Sequence, residues 1–110
     1  MRKTTVEDFE IFKKVFMKWA ERLNCLDWRV DFSHEEVDCN AQVDFNNMQL
    51  VSVSLGLEID DWQTPEICAK HEAIHLLLAR LCVPACSRNS TVEEVDRAIE
   101  SVVRVLERRL

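Results

Sequence analysis

Three histidines occur in this chain of 110 residues, and two of them, His71 and His75, stand four apart with Glu72 directly after the first. On a helix, that spacing puts both imidazoles on one face, about 6 Å apart along the axis at a rise of 1.5 Å per residue, so both can reach one metal ion. Glu72 then sits beside the first ligand. There it can take a proton from a metal-activated water as that water attacks a carbonyl. The competing reading is a surface helix that happens to carry two histidines. Scarcity of histidine and the apolar helical run around the His-Glu-x-x-His sequence favour the metal site. Imidazole and carboxylate ligands favour zinc as the ion.

A catalytic zinc needs a third protein ligand and one open position. The extended pattern with a Gly and a third His is absent, because Leu78 and Leu81 hold those places. Cys82 shares the helical face of His75 but lies about 10 Å further along the axis, too far for the same metal. The remaining supply is Glu93, Glu94, Asp96 and Glu100. Ser90-x-x-Glu93 and Thr91-x-x-Glu94 are both capping-box patterns, which gives Glu93 and Glu94 a structural alternative. Glu100 has no such local duty and stands near the edge of an apolar stripe, where a carboxylate is costly to bury unless something compensates it. Glu100 therefore ranks first as third ligand, Glu93 or Glu94 second, and Asp96 third. The alternative for Glu100 is an exposed residue paired with Arg97 or Arg104. His34 follows a strand in Ser33-His34-Glu35-Glu36 and reads as an exposed loop residue.

The elements that must position these groups are legible as changes of period. Val6, Phe9, Phe12, Val15, Phe16, Trp19 and Leu23 recur at helical spacing over residues 6–23, with Asn24 as the stop. Leu26 to Phe32 alternates apolar and polar, residues 38–46 alternate more weakly, and residues 48–57 do so cleanly, with a turn at Asn46-Asn47. Three short antiparallel strands are expected, the last two forming a hairpin. Thr64-Pro65-Glu66 starts the metal helix with a capping hydroxyl, Pro in the first turn and a carboxylate near the positive end. That helix should run to Pro84. After a loop through Cys86-Ser87-Arg88-Asn89, Ser90 and Thr91 open a last helix to Leu110, facing the core with Val92, Val95, Ile99, Val102 or Val103, Leu106 and Leu110. The fold class is α+β, with helices on one face of a small sheet, and the length suits one domain over residues 1–110.

Composition excludes several classes. One Gly and two Pro rule out collagen-like and breaker-rich disordered chains. No apolar run reaches the roughly 20 residues of a membrane span. The net charge of −6 argues against a nucleic-acid binder, which needs a concentrated basic face. Residues 25–70 hold ten acidic groups against Arg29 and Lys70, while the flanks are near balance. That is either a solvated acidic face or a surface for a basic partner. Five cysteines without Cys-x-x-Cys spacing or an apolar leader after Met1-Arg2-Lys3 suggest reduced thiols, mostly core residues, in a cytoplasmic protein.

Taken with these motifs, the chain resembles the small zincin-type metallopeptidases encoded by phages and prophages, over nearly its whole length. Leu26-Asp27-Trp28-Arg29-Val30 is similar to that family's opening strand, and Val51-Ser52-Val53-Ser54-Leu55 to the strand before its metal helix. Lys70 to Leu78 matches the motif helix, and Glu100 to Leu106 resembles the closing helix. The resemblance implies zinc held by His71, His75 and a downstream glutamate, Glu72 as general base, and a sheet edge that holds an extended peptide by strand addition. It also implies a host-cell cytoplasmic setting for a phage-encoded chain. A zinc-dependent peptidase acting on a peptide or protein substrate is therefore expected. The alternative is a zinc-stabilised binding or regulatory protein on the same scaffold, with little turnover; a helical protein without metal is the third reading. Tyr is absent, so no oxyanion donor is evident, and Arg80 and Arg88 cannot be placed from sequence.

Overall fold

In the computed structural model, residues 1–23, 25–26, 29–45, 50–86 and 91–109 are described, the side chains of 45, 80–86, 98 and 109 excepted. Helix α1 (Val6–Arg22) starts at a reciprocal cap. The Asp8 N–H donates to Thr5 Oγ1 at 3.1 Å, and the Thr5 N–H donates to Asp8 Oδ2 at 2.9 Å. Its core stripe is Phe12, Phe16 and Ala20, with Phe9, Val15, Trp19 and Leu23 packed around them. Val6 was expected in that stripe but is 70% exposed; it lies in the first turn, where the helix has not yet reached its neighbours.

Two sheets follow. The larger joins β2 (Arg29–His34), β3 (Ala41–Phe45) and β4 (Leu50–Leu55) in the order β2-β4-β3. β3 and β4 pair antiparallel as a hairpin, but β2 runs parallel to β4, so the expected all-antiparallel sheet is corrected to a mixed one. The reason lies in β4. Val51, Val53 and Leu55 are fully buried on one face, and Ser54 is buried on the other, where its hydroxyl meets Ser33 Oγ at 2.7 Å. A strand buried on both faces belongs in the centre. The chain therefore crosses over the end of β4 between β2 and β3, and the Glu35 N–H bonds to the Leu55 carbonyl on the way.

That crossing explains the placement of the single glycine. A Cβ on Gly56 would meet the carbonyl oxygens of Glu58, Asn40 and Cys39 at 2.9, 3.0 and 3.1 Å. The smaller sheet, absent from the sequence expectations, pairs β1 (Arg2–Lys3) antiparallel with β5 (Glu58–Ile59). Thr4 completes it: its hydroxyl donates to the Gly56 carbonyl at 2.6 Å and accepts from His34 Nε2 at 2.6 Å. His34 also stacks on Phe9, with ring centroids 5.1 Å apart. The expectation of an exposed loop histidine is thus corrected. His34 ends β2 and is half-buried because β1 and α1 close over it.

Helix α2 (Pro65–Cys86) begins as the sequence indicates, with the Ile67 N–H donating to Thr64 Oγ1 at 3.2 Å. It does not stop at Pro84, because a proline in the last turn removes one hydrogen bond without abolishing the turn. Cys68, Ala69, Ala73 and Leu76 pack on the sheet and α1, while Ile74 and Leu78 face α3 (Val92–Arg109). On α3, Val95 and Val103 are buried and Ile99 and Leu106 half-buried; Val103, not Val102, faces inward. Val92 is 59% exposed, contrary to expectation, since the stripe engages α2 only from Val95 on. Cys25 and Cys68 are buried, and Cys39 is exposed. Among the described residues no helix is long and apolar enough to cross a membrane. Asn24, Asp27, Trp28, the Asn46-Asn47 turn, Ser87 to Ser90, Leu110 and the side chains of Arg80, Cys82 and Cys86 lie outside the described residues.

Candidate metal centre

Helix α2 presents His71 and His75 one turn apart, and their Nε2 atoms come within 3.2 Å of each other. Glu100 approaches from α3 and spans both rings: Oε1 lies 2.9 Å from His71 Nε2 and Oε2 2.9 Å from His75 Nε2. Among the described residues these three form the group that can hold a metal ion, with one donor atom from each lying within 4.8 Å of the others. A tetrahedral site with bonds near 2.0 Å places its ligand atoms about 3.3 Å apart, close to the 3.2 Å between the two Nε2 atoms.

Proton accounting supports the fit. His71 Nδ1 meets Glu107 Oε2 at 2.6 Å. A carboxylate only accepts, so Nδ1 carries the proton of that bond and Nε2 is the atom turned to the cluster. Nε2 faces the Glu100 oxygen and the second imidazole nitrogen, so either protons or a cation must sit among them. Burial, the main influence on His75, pushes its pKa below the usual value. That favours the neutral ring a metal requires.

Glu107 was not among the sequence candidates. Its signal was available, since it lies two helical turns after Glu100 and so shares its face. Its backbone carbonyl accepts from Lys70 Nζ at 3.1 Å, and the same ammonium lies 5.0 Å from the Trp19 ring. Lys70 thus ties α1, α2 and the end of α3 together next to His71. Glu93, Glu94 and Asp96 are exposed and stand outside the cluster. The Glu94 N–H donates to Thr91 Oγ1 at 3.1 Å, part of the capping alternative foreseen for it.

Glu72 is 6% exposed, and among the described residues its carboxylate has no hydrogen bond or salt bridge. Burial first, then the nearby charges of Glu100, Glu107 and Asp44, hold its pKa well above the ordinary carboxylate value. It lines two adjoining cavities of about 340 Å³ each, shared with His71 and Glu100. A third, of about 310 Å³, continues past His75 between Val43, Leu78 and Ile99. Together they make a groove with α2 as floor, the edge strand β3 as one wall and α3 as the other. Cys68 lines the first cavity, but burial pushes its thiol up to about 12, so it stays protonated. No protein-family model, characterised protein or solved structure matches the chain.

Proposed function

We propose that this protein is a zinc-dependent peptidase of minimal zincin-like build. His71, His75 and Glu100 would hold the metal. The observation that carries the reading is an unpaired, buried Glu72 beside two histidines that a carboxylate from another helix bridges. Zinc bound there would supply Lewis acidity, polarising a substrate carbonyl and making water a stronger acid. Glu72 has the chemistry to take the proton of that water and hand it to the leaving amine. The Glu107 carboxylate keeps the His71 proton on Nδ1 and the Nε2 lone pair turned inward. Among the described residues β3 pairs with β4 along one side only, and Ala41, Gln42 and Val43 border the cavity over Glu72. An extended peptide added to that edge would cross the cluster.

The test has two parts. Elemental analysis of protein purified without added metal should return close to one zinc per chain; no metal even after reconstitution defeats the reading. Zinc-loaded protein should then cleave members of a broad peptide library, and Glu72→Gln should keep the metal and lose cleavage.

A second reading is a zinc-stabilised binding protein without turnover. It is favoured by one feature: Glu100 and Glu107 fasten α3 to α2 through the histidines, as a structural staple would. Zinc retention with no cleavage by the wild-type chain would establish it over the first.

A further inference from the structure

The two carboxylates that serve the histidines leave a cation between them without a partner. Arg104 stands four residues after Glu100 and three before Glu107, the positions where a helical arginine pairs with a glutamate. Here Glu100 turns both oxygens to His71 and His75, and Glu107 turns Oε2 to His71. Among the described residues Arg104 makes no ion pair, although it lines the cavity that Glu72, Glu100 and Glu107 also line. Among the described residues it is the single Lys or Arg bordering the three cavities of the groove. On its outer side the positive charge continues through Arg97 and Arg108. Trp62, 72% exposed, offers an aromatic face in the same cavity.

We propose that Arg104 determines specificity by receiving a carboxylate of the bound peptide in this cavity, with Trp62 covering the adjoining apolar part. The occupant rests on the peptidase reading above. A guanidinium matches a carboxylate with two parallel hydrogen bonds. The cavity, about 340 Å³, suits one or two side chains rather than a whole domain. The bound metal would offset much of the negative field of the glutamates, and Arg104 adds a positive group on the cavity wall away from the metal ligands. Removing it therefore removes an attraction for the anion. The carboxylate has two sources, the C-terminus of the peptide or an Asp or Glu side chain, and the two are separable by experiment.

Matched peptides carrying Glu, Gln or Lys at each position in turn, each with a free or amidated C-terminus, are offered to zinc-loaded protein. The readouts are kcat/KM for cleavage and equilibrium binding to Glu72→Gln by fluorescence polarisation. The wild-type chain should favour the carboxylate-bearing peptide over its neutral match by about 10- to 100-fold. A preference lost on amidation names the C-terminus, and one lost on Glu-to-Gln exchange names the side chain. In Arg104→Gln the ratio should fall to near one through KM and binding, with zinc content and circular dichroism unchanged; Arg104→Lys should restore part of it. A preference that persists in Arg104→Gln overturns the proposal, as does a preference for the Lys peptides. An equal drop in kcat on every peptide also overturns it, by assigning Arg104 to the transition state instead. If nothing is cleaved but carboxylate peptides still bind through Arg104, the peptidase reading fails and this one stands. No binding and no cleavage defeats both.

Discussion

The two sides of α2 are built differently. On one side, Phe12, Phe16, Val51, Val53, Leu55 and Leu76 are fully buried, and aromatic edges interlock, with Phe16 and Phe32 at 5.5 Å and 87°. On the other side, Val103 of α3 packs on Ile74 and Leu78 of α2, flanked by Leu23, Ile99 and Leu106. Between that small cluster and solvent stand the histidines and glutamates of the candidate centre. Fold stability therefore resides in the sheet-side core, while the geometry of the site depends on the side with less apolar burial. A ligand that bridges α2 and α3 would add to the weaker side, so metal binding and α3 docking are linked.

Four outcomes would break or sharpen that contrast. Phe16→Ala should cost about 3–5 kcal/mol and unfold the whole molecule cooperatively in urea; a smaller loss confined to α1 would contradict a dominant sheet-side core. Chelating zinc from loaded protein should lower stability by up to about 4 kcal/mol when free zinc stood at a thousand times its Kd. Hydrogen exchange should rise first at α3 and α2 backbone amides and least in β4. Uniform loss of protection would mean the two sides are not separable.

Glu107→Gln should weaken zinc binding about 10- to 100-fold in a competition titration, with little change in the urea midpoint of the metal-free chain. An unchanged affinity would show that Glu107 does not orient His71. The smallest effect concerns Glu72. Its pKa is raised above 4.5 in the folded chain, so the folded state binds its proton more tightly than the unfolded state does. The resulting stability is complete below pH 4.5 and is lost as pH rises through the folded value. Metal-free Glu72→Gln should therefore melt higher than wild type near pH 8, by about 5 °C per kcal/mol recovered, and no higher at pH 4. Equal melting at both values would mean the carboxylate is not desolvated.

Legibility in the sequence followed the range of the interaction. Helix starts at Thr64 and Thr91 were readable because a cap and its N–H are three residues apart; the Thr5 cap of α1 follows the same spacing but was not among the expectations. The pairing of His71 with His75 was readable because one turn of α2 determines it. Glu100 was ranked first from its lack of local duty, and the structure sets it between the two rings. Glu107 escaped because the ranking stopped at the first part of the helix. His34 was misjudged because its partners, Thr4 and Phe9, come from segments 30 and 25 residues away. Strand direction failed likewise: alternation tells which residues face the core, but says nothing of which strand lies at the centre.

By itself the sequence determined the three helices, most of their inward faces, the three strands of the larger sheet and the His-Glu-x-x-His face, because capping, periodicity and one-turn spacing are short-range. Tertiary structure decided that β2 runs parallel to β4, that Glu100 and Glu107 reach His71 across 29 and 36 residues, and that Arg104 is thereby left unpaired. The register of one helix against another is set by the packing of Ile74 and Leu78 on Val103. No local rule contains that register.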